Sequence, residues 1–214
     1  MDDLSAWPTL NNRVEFCIWR APVSVQASAQ ARADLAQDVR KALKATRYLI
    51  SGDVRLTVEW WIPEQERYES DRAPDIDNIL KPLVDCLVGP EAILIDDNQV
   101  KEINCSWRES HGEPQRLDVL LQFEDKAWVP KADLIFVQFQ NGLCLPIPHS
   151  SSNEEKLQRF HTYARLFALR GLLDDAGAHY SNAKVLMPEQ RVFHRSRLKG
   201  FRVVEEKAFV AATS

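Results

Sequence analysis

The sequence predicts an α+β fold: a small mixed β-sheet covered by two helices in the order β-α-β-α-β-β, followed by a C-terminal α/β extension. Three observations predict it. Residues 14–19 (VEFCIW) and 53–61 (DVRLTVEWW) alternate apolar and polar side chains with the period of a half-buried strand. Residues 28–43 and the stretch from Ile76 repeat apolar side chains every three or four positions, the period of a helix lying on a core. After residue 124 the pattern changes, which divides the chain into a first domain over 1–124 and an accessory module over 125–214. A length of 214 residues, 45% of them hydrophobic, suits one such domain with a small second module.

The elements follow in order. Pro22 closes the first strand. Residues 28–43 (SAQARADLAQDVRKAL) are rich in helix formers, and Ala31, Leu35, Val39 and Leu43 draw one apolar stripe. In the second strand Val54, Leu56, Val58 and Trp60 share a face, and Pro63 ends it. Residues 65–74 (QERYESDRAP) are polar and patternless, so a loop is expected. Ile76, Ile79, Leu80, Leu83 and Leu87 then mark a helix that Gly89-Pro90 stops. Pro82 removes one hydrogen bond from that helix and is expected in its first turns, where a kink does least damage. Residues 99–107 and 116–123 (RLDVLLQF) read as two strands joined by a turn at 111–114.

In the second module, residues 134–139 and 144–147 flank Asn141-Gly142, a strong hairpin signal. Ser152 and Glu155 form a capping box, and Leu157, Phe160, Ala164, Phe167 and Gly171 stripe the helix that follows. Residues 190–207 read as a basic strand or arm.

Composition excludes several classes. Charged residues at 27%, with 7 Gly and 11 Pro, rule out collagen-like, low-complexity and wholly disordered chains. No run reaches the about 18 apolar residues of a membrane span, so no membrane partner is expected. The opening Met1-Asp2-Asp3-Leu4 is acidic and unlike a secretory signal, so a cytoplasmic protein is expected. Cys17, Cys86, Cys105 and Cys144 show neither zinc spacing nor a CxxC pair, as befits free thiols, and the five histidines form no ligand spacing. The formal charge of −4 argues mildly against nucleic acid.

The chemistry-bearing segment runs from Pro74 to Gln99. Asp75 and Asp77 stand two apart before the helix, where an extended chain points both to one side. Asp77, Lys81 and Asp85 follow four apart along the helix face away from the apolar stripe, and Asp96-Asp97 end the short run Ile93-Leu94-Ile95. Four carboxylates can therefore converge. Two unit charges at ~4 Å repel by about 4 kcal/mol at an effective dielectric of roughly 20. A hard divalent cation with oxygen ligands relieves that repulsion and can drive phosphodiester hydrolysis, with Lys81 meeting the phosphate. Each residue also has an ordinary structural use: Asp77 as an N-cap, Asp77 with Lys81 as a helical ion pair, Asp96-Asp97-Asn98 as a solvated turn.

The segment Pro74-Asp75-Ile76-Asp77-Asn78-Ile79-Leu80-Lys81-Pro82-Leu83-Val84-Asp85, followed by Ile95-Asp96-Asp97-Asn98-Gln99-Val100, closely resembles the signature of RusA-like Holliday-junction resolvases. Residues 21–27 (APVSVQA) also resemble the stretch after the first strand in bacterial members, and the resemblance covers roughly 13–124. It implies a homodimeric endodeoxyribonuclease of bacterial or phage origin. Such an enzyme binds branched DNA and nicks four-way junctions symmetrically by hydrolysis, using Mg²⁺ or Mn²⁺, and serves recombination and repair. The family's essential acids map to Asp75, Asp77 and Asp97, with Asp96 beside the last as a further metal ligand, and its site lysine maps to Lys81. Asp85 occupies a further acidic position with an expected supporting role, and Glu91 in the joint 88–92 reads either as a turn residue or as an extra ligand.

The module past 124 lies outside that family's compact domain. An alternative is therefore a nucleic-acid-binding or protein-interaction module on the same scaffold, with little or no cleavage. Setting aside Asp75, Asp77, Asp85, Asp96 and Asp97 turns the formal −4 to +1. Candidate DNA contacts are Arg32, Arg40 and Lys44 near the first helix, and Arg195, Arg197 and Lys199 in the second module.

Overall fold

Alternate burial draws the sheet of the first unit. β1 (Arg13–Ile18), β3 (Val54–Ile62) and β5 (Arg116–Phe123) each turn every second side chain inward, among them Phe16, Val58 and Leu121. β4 (Val100–Glu109) completes a four-stranded sheet in the order β1-β5-β3-β4. β1–β5 and β5–β3 are antiparallel and β3–β4 is parallel, so the sheet is mixed. A parallel pair needs a long crossover. Here the crossover is residues 63–99, the stretch that carries the acidic segment. The computed structural model describes residues 4–71, 73–147, 152–187 and 190–213. It divides into two compact units, Met1–Trp128 and Val129–Ser214.

Two helices share the apolar face of that sheet. α1 (Ala29–Ala42) starts at Ser28, whose Oγ accepts the Ala31 N–H at 3.1 Å, and buries Leu35 and Val39 with Leu43 just beyond. α3 (Ile76–Leu87) buries Ile79, Leu83, Val84 and Leu87. These side chains join the inward residues of β1, β3 and β5 in one core. The short β2 (Tyr48–Ile50) is buried throughout, and Gly52 after it lies so close to Ala127 that an added Cβ would stand 2.7 Å from that residue's own. The Trp7 and Trp128 rings meet at 5.9 Å, tilted by 54°, and Tyr48 lies edge-on to Trp128 at 6.0 Å.

The expected loop at 65–74 is in part a helix, α2 (Glu64–Glu69). It buries none of its residues, so no apolar stripe announces it. Its partners lie far away in sequence. The Arg67 guanidinium sits 4.4 Å from the centre of the Trp107 ring, which stacks on Trp60 at 4.1 Å. Gln115 accepts the Trp60 Nε1–H at 3.0 Å and donates to Glu66 at 2.6 Å. Gln99, expected to open a strand, lies instead in a 3₁₀ turn, Asp97–Gln99, and β4 begins one residue later.

At the boundary stands β6 (Trp128–Pro130). In the second unit β7 (Ile135–Gln138) and β8 (Leu143–Ile147) form the expected hairpin, with Asn141 and Gly142 at φ 57° and 70°. α4 (Asn153–Asp175) starts at the expected capping box of Ser152 and Glu155, and Phe160 and Phe167 of its stripe are buried. A short α5 (Tyr180–Ala183) follows. The basic arm at 190–207 proves to be β9 (Phe193–His194), a 3₁₀ turn, β10 (Arg202–Glu205) and the start of α6 (Glu206–Thr213). The sheet order is β10-β7-β8-β9, and its core gathers Val137, Phe139, Leu145, Ile147, Phe160, Phe167 and Phe209. His149 and Ser150 lie outside the described residues.

The four cysteines are free thiols. Burial pushes Cys17 up to about 12 and Cys144 to about 11, so neither is a thiolate at neutral pH. Among the described residues no helix is long and apolar enough to cross a membrane.

Leu121 is fully buried in β5, between β1 and β3. Leu121→Ala is expected to cost about 2–5 kcal/mol through lost burial and the cavity left behind. Urea unfolding of the variant against wild type measures it.

Candidate active site

The acidic segment is shaped by two exceptions to regular helix geometry. Asp75 is the N-cap of α3, and its carboxylate makes no capping bond. Asp77 lies one residue inside the helix, in the first turn, where the positive end of the dipole favours a carboxylate. The two acids therefore do not share a face by strand alternation, because only Asp75 is extended. Pro82 stands in the helix interior rather than in its first turns and is buried. Lacking an N–H, it leaves the Asn78 carbonyl without its helical donor, and the Val25 N–H takes that place at 2.9 Å. The segment after β1 is thereby tied to the acidic helix.

The second acidic half is held by one side chain that the sequence did not single out. Gln99 is fully buried. Its Oε1 accepts the N–H groups of Ile95 at 2.7 Å and Asp96 at 2.9 Å. Its Nε2 donates to the carbonyls of Ile50 at 2.8 Å and Gly52 at 2.7 Å. An amide side chain has two donors and two acceptor positions, and all four are used. Asp96 and Gln99 form a capping box, and Asp96 is only 7% exposed. The spacing Asp96-x-x-Gln99 is the signal that would have revealed it.

Asp77, Lys81, Asp97 and Asn98 line one open cleft of about 400 Å³, floored by Leu80, Val84, Val100 and Ile103. Lys81 Nζ donates to the Asp85 carboxylate and, at 3.5 Å, to Asp97 Oδ2. The expected Asp77–Lys81 pair is thus replaced by Lys81 with Asp85 and Asp97. The bond to Asp85, helped by the charges of Asp85 and Asp97, raises the Lys81 pKa, so the ammonium stays charged at neutral pH. Asp75 is exposed at the helix entrance and outside this lining. Asp96 is buried within its turn. The structure brings together Asp77, Lys81 and Asp97 of the expected set, and it sets Asp75 and Asp96 apart.

Among the described residues no three His, Cys, Asp or Glu side chains form a ready metal cage. The cleft's own oxygens still suit Mg²⁺, which binds through one or two carboxylates and keeps several waters. Asp77, Asp97 and the Asn98 amide are donors of that hard type.

The candidate DNA contacts fall into two sets. Arg32 and Arg40 line a groove of about 450 Å³ with Pro82, Asp85, Cys86 and Glu91. Arg40 faces Glu91 at 3.6 Å, which puts Glu91 in that groove rather than in the acidic cleft. Lys44 is exposed just past α1. Arg195, Arg197 and Lys199 are exposed in the second unit.

Gln99→Ala would take the side-chain partner from four main-chain groups, three of them buried and that of Gly52 half-buried. Each such group costs about 1–3 kcal/mol. The variant is expected to lose at least about 3 kcal/mol by urea unfolding, and Gln99→Glu, which turns a carboxylate oxygen onto the Ile50 and Gly52 carbonyls in a buried site, is expected to lose at least as much at neutral pH.

No curated protein matches the chain. The family described as Endodeoxyribonuclease RusA matches over residues 12–122, which takes in the four-stranded sheet, both covering helices and the cleft. That match spans more than half of the 214 residues, and the chain belongs to the RusA endodeoxyribonuclease family.

Proposed function

We propose that the protein is a metal-dependent, structure-selective endodeoxyribonuclease that resolves four-way DNA junctions by hydrolytic nicking, working as a homodimer with one cleft per strand. The observation that carries this reading is the meeting of Asp77, Lys81 and Asp97 in one solvent-open cleft of a RusA-family chain.

Asp77 and Asp97, with the Asn98 amide beside them, would hold Mg²⁺ or Mn²⁺. An ion held by these residues would supply an activated water and would offset the charge on the leaving oxygen. The chain's own residues do the rest. Lys81 keeps its charge beside the cleft and attracts the scissile phosphate. Of its present partners Asp85 is exposed and Asp97 half-exposed, so the ammonium can exchange a carboxylate for a phosphate oxygen without leaving a fully buried charge behind. Asp96 and Gln99 act as positioning residues that fix the turn on which Asp97 stands.

A second reading follows from the second unit, which lies beyond the family match. In it the chain is a binding module on a nuclease scaffold and cuts weakly or not at all.

Labelled four-way junctions, flaps and linear duplex, each incubated with the protein and Mg²⁺, separate the two. Paired symmetric nicks confined to the junction, abolished by a chelator, are expected. Binding without cutting would favour the second reading. Loss of an outer partner of a metal ligand typically costs about 10–100-fold. Asp77→Asn and Asp97→Asn remove ligands themselves and are each expected to exceed that loss in cleavage rate, with folding unchanged. Full cleavage by either variant would show that the site is elsewhere.

A further inference from the structure

The charge of the chain is divided unequally between its two units. Residues 1–128 hold 15 Lys and Arg against 23 Asp and Glu, a balance of −8. Residues 129–214 hold 12 against 8, a balance of +4. A nuclease unit at −8 repels a polyanion at long range. The compensating charge is concentrated in one segment of the second unit: from 190 to 204 the sequence has no acidic residue and carries Arg191, Arg195, Arg197, Lys199 and Arg202.

That segment is a built surface. Phe193 and Leu198 are almost fully buried. The Phe136 ring of β7 meets Phe193 at 6.0 Å and Phe201 at 5.2 Å, both edge-on. His194 caps the turn, its Nδ1 lying 2.8 Å from Ser196 Oγ and accepting the Ser196 N–H at 3.3 Å. Main-chain bonds from Leu198 to Arg195 and from Phe201 to Leu198 close the rest. With the apolar side chains turned inward, Arg195, Arg197, Lys199 and Arg202 are left exposed on a pinned loop. Guanidinium groups carried on a pinned main chain suit phosphate oxygens. The loop's aromatic rings, Phe193 and Phe201, are used in packing on Phe136 rather than offered to bases.

We propose that the second unit is a DNA-anchoring module whose basic loop, residues 194–202, binds the phosphate backbone without regard to sequence or branching. This goes beyond the catalytic reading and needs only that the chain meets DNA, as its family does.

The test measures binding of the full chain to a labelled four-way junction and a linear duplex by fluorescence anisotropy over a salt series, with chelator present so that nothing is cut. Each phosphate contact adds about 0.9 to the slope of log affinity against log salt. Arg195→Gln/Arg197→Gln/Lys199→Gln is expected to make the slope shallower by about 3 and to weaken both DNAs equally, on the order of 10-fold or more at physiological salt. Arg195→Lys/Arg197→Lys should keep the slope. Arg159→Gln/Arg165→Gln/Lys184→Gln removes the same charge from exposed positions elsewhere on the unit and should keep it too. The proposal is overturned if the first variant, shown folded by an unchanged melting temperature, binds as wild type does. It is overturned equally if the distant triple loses as much, or if only junction binding falls. A wild-type chain that cuts nothing with Mg²⁺, while the slope still falls in the first variant, would defeat the catalytic reading and support this one.

Discussion

The buried amide of Gln99 is the constraint on which the site depends. It joins the main chain of Ile95 and Asp96 to that of Ile50 and Gly52, four bonds from one side chain. A buried polar group stabilises only when its partners are complete, because a half-satisfied one leaves its desolvation uncompensated. Gln99 meets that condition, and the turn it fixes presents Asp97 to Lys81. The second acidic half of the site is thus positioned by the core of the first unit rather than by the mobility of a surface loop.

The first acidic half has the opposite design. α3 faces the core with Ile79, Leu83 and Leu87 and faces solvent with Asp77, Lys81 and Asp85. Pro82 interrupts its hydrogen-bond ladder, and the carbonyl so released binds Val25 after β1. A residue that weakens the helix locally therefore tethers it to a neighbouring segment. Lys81 shared between Asp85 and Asp97 holds the repulsion of nearby acids in check. The first unit as a whole still carries a balance of −8, so on the proposed reading a polyanionic substrate calls for positive charge from elsewhere in the chain.

Much of this was legible in the residues themselves. Period-two burial along β3 and period-four burial along α1 are local properties, and the core they form follows from them. The hairpin at Asn141-Gly142 and the capping box at Ser152 were readable because turn and cap chemistry is also local. α2 was not, because its support from Trp107 and Gln115 comes from residues some forty to fifty positions away. The same limit applies at the site. Spacing identified the aspartates and Lys81, but the pairing of Lys81 with Asp97 depends on how the crossover from β3 to β4 folds back. The burial of Asp96 depends on Gln99, whose significance lies in carbonyls nearly fifty residues earlier.

The most direct test of the central claim is anomalous scattering from a crystal grown in excess Mn²⁺. The account predicts a manganese peak in the cleft, within bonding reach of the carboxylates of Asp77 and Asp97. No peak there at saturating Mn²⁺, with both side chains turned to solvent, would contradict it.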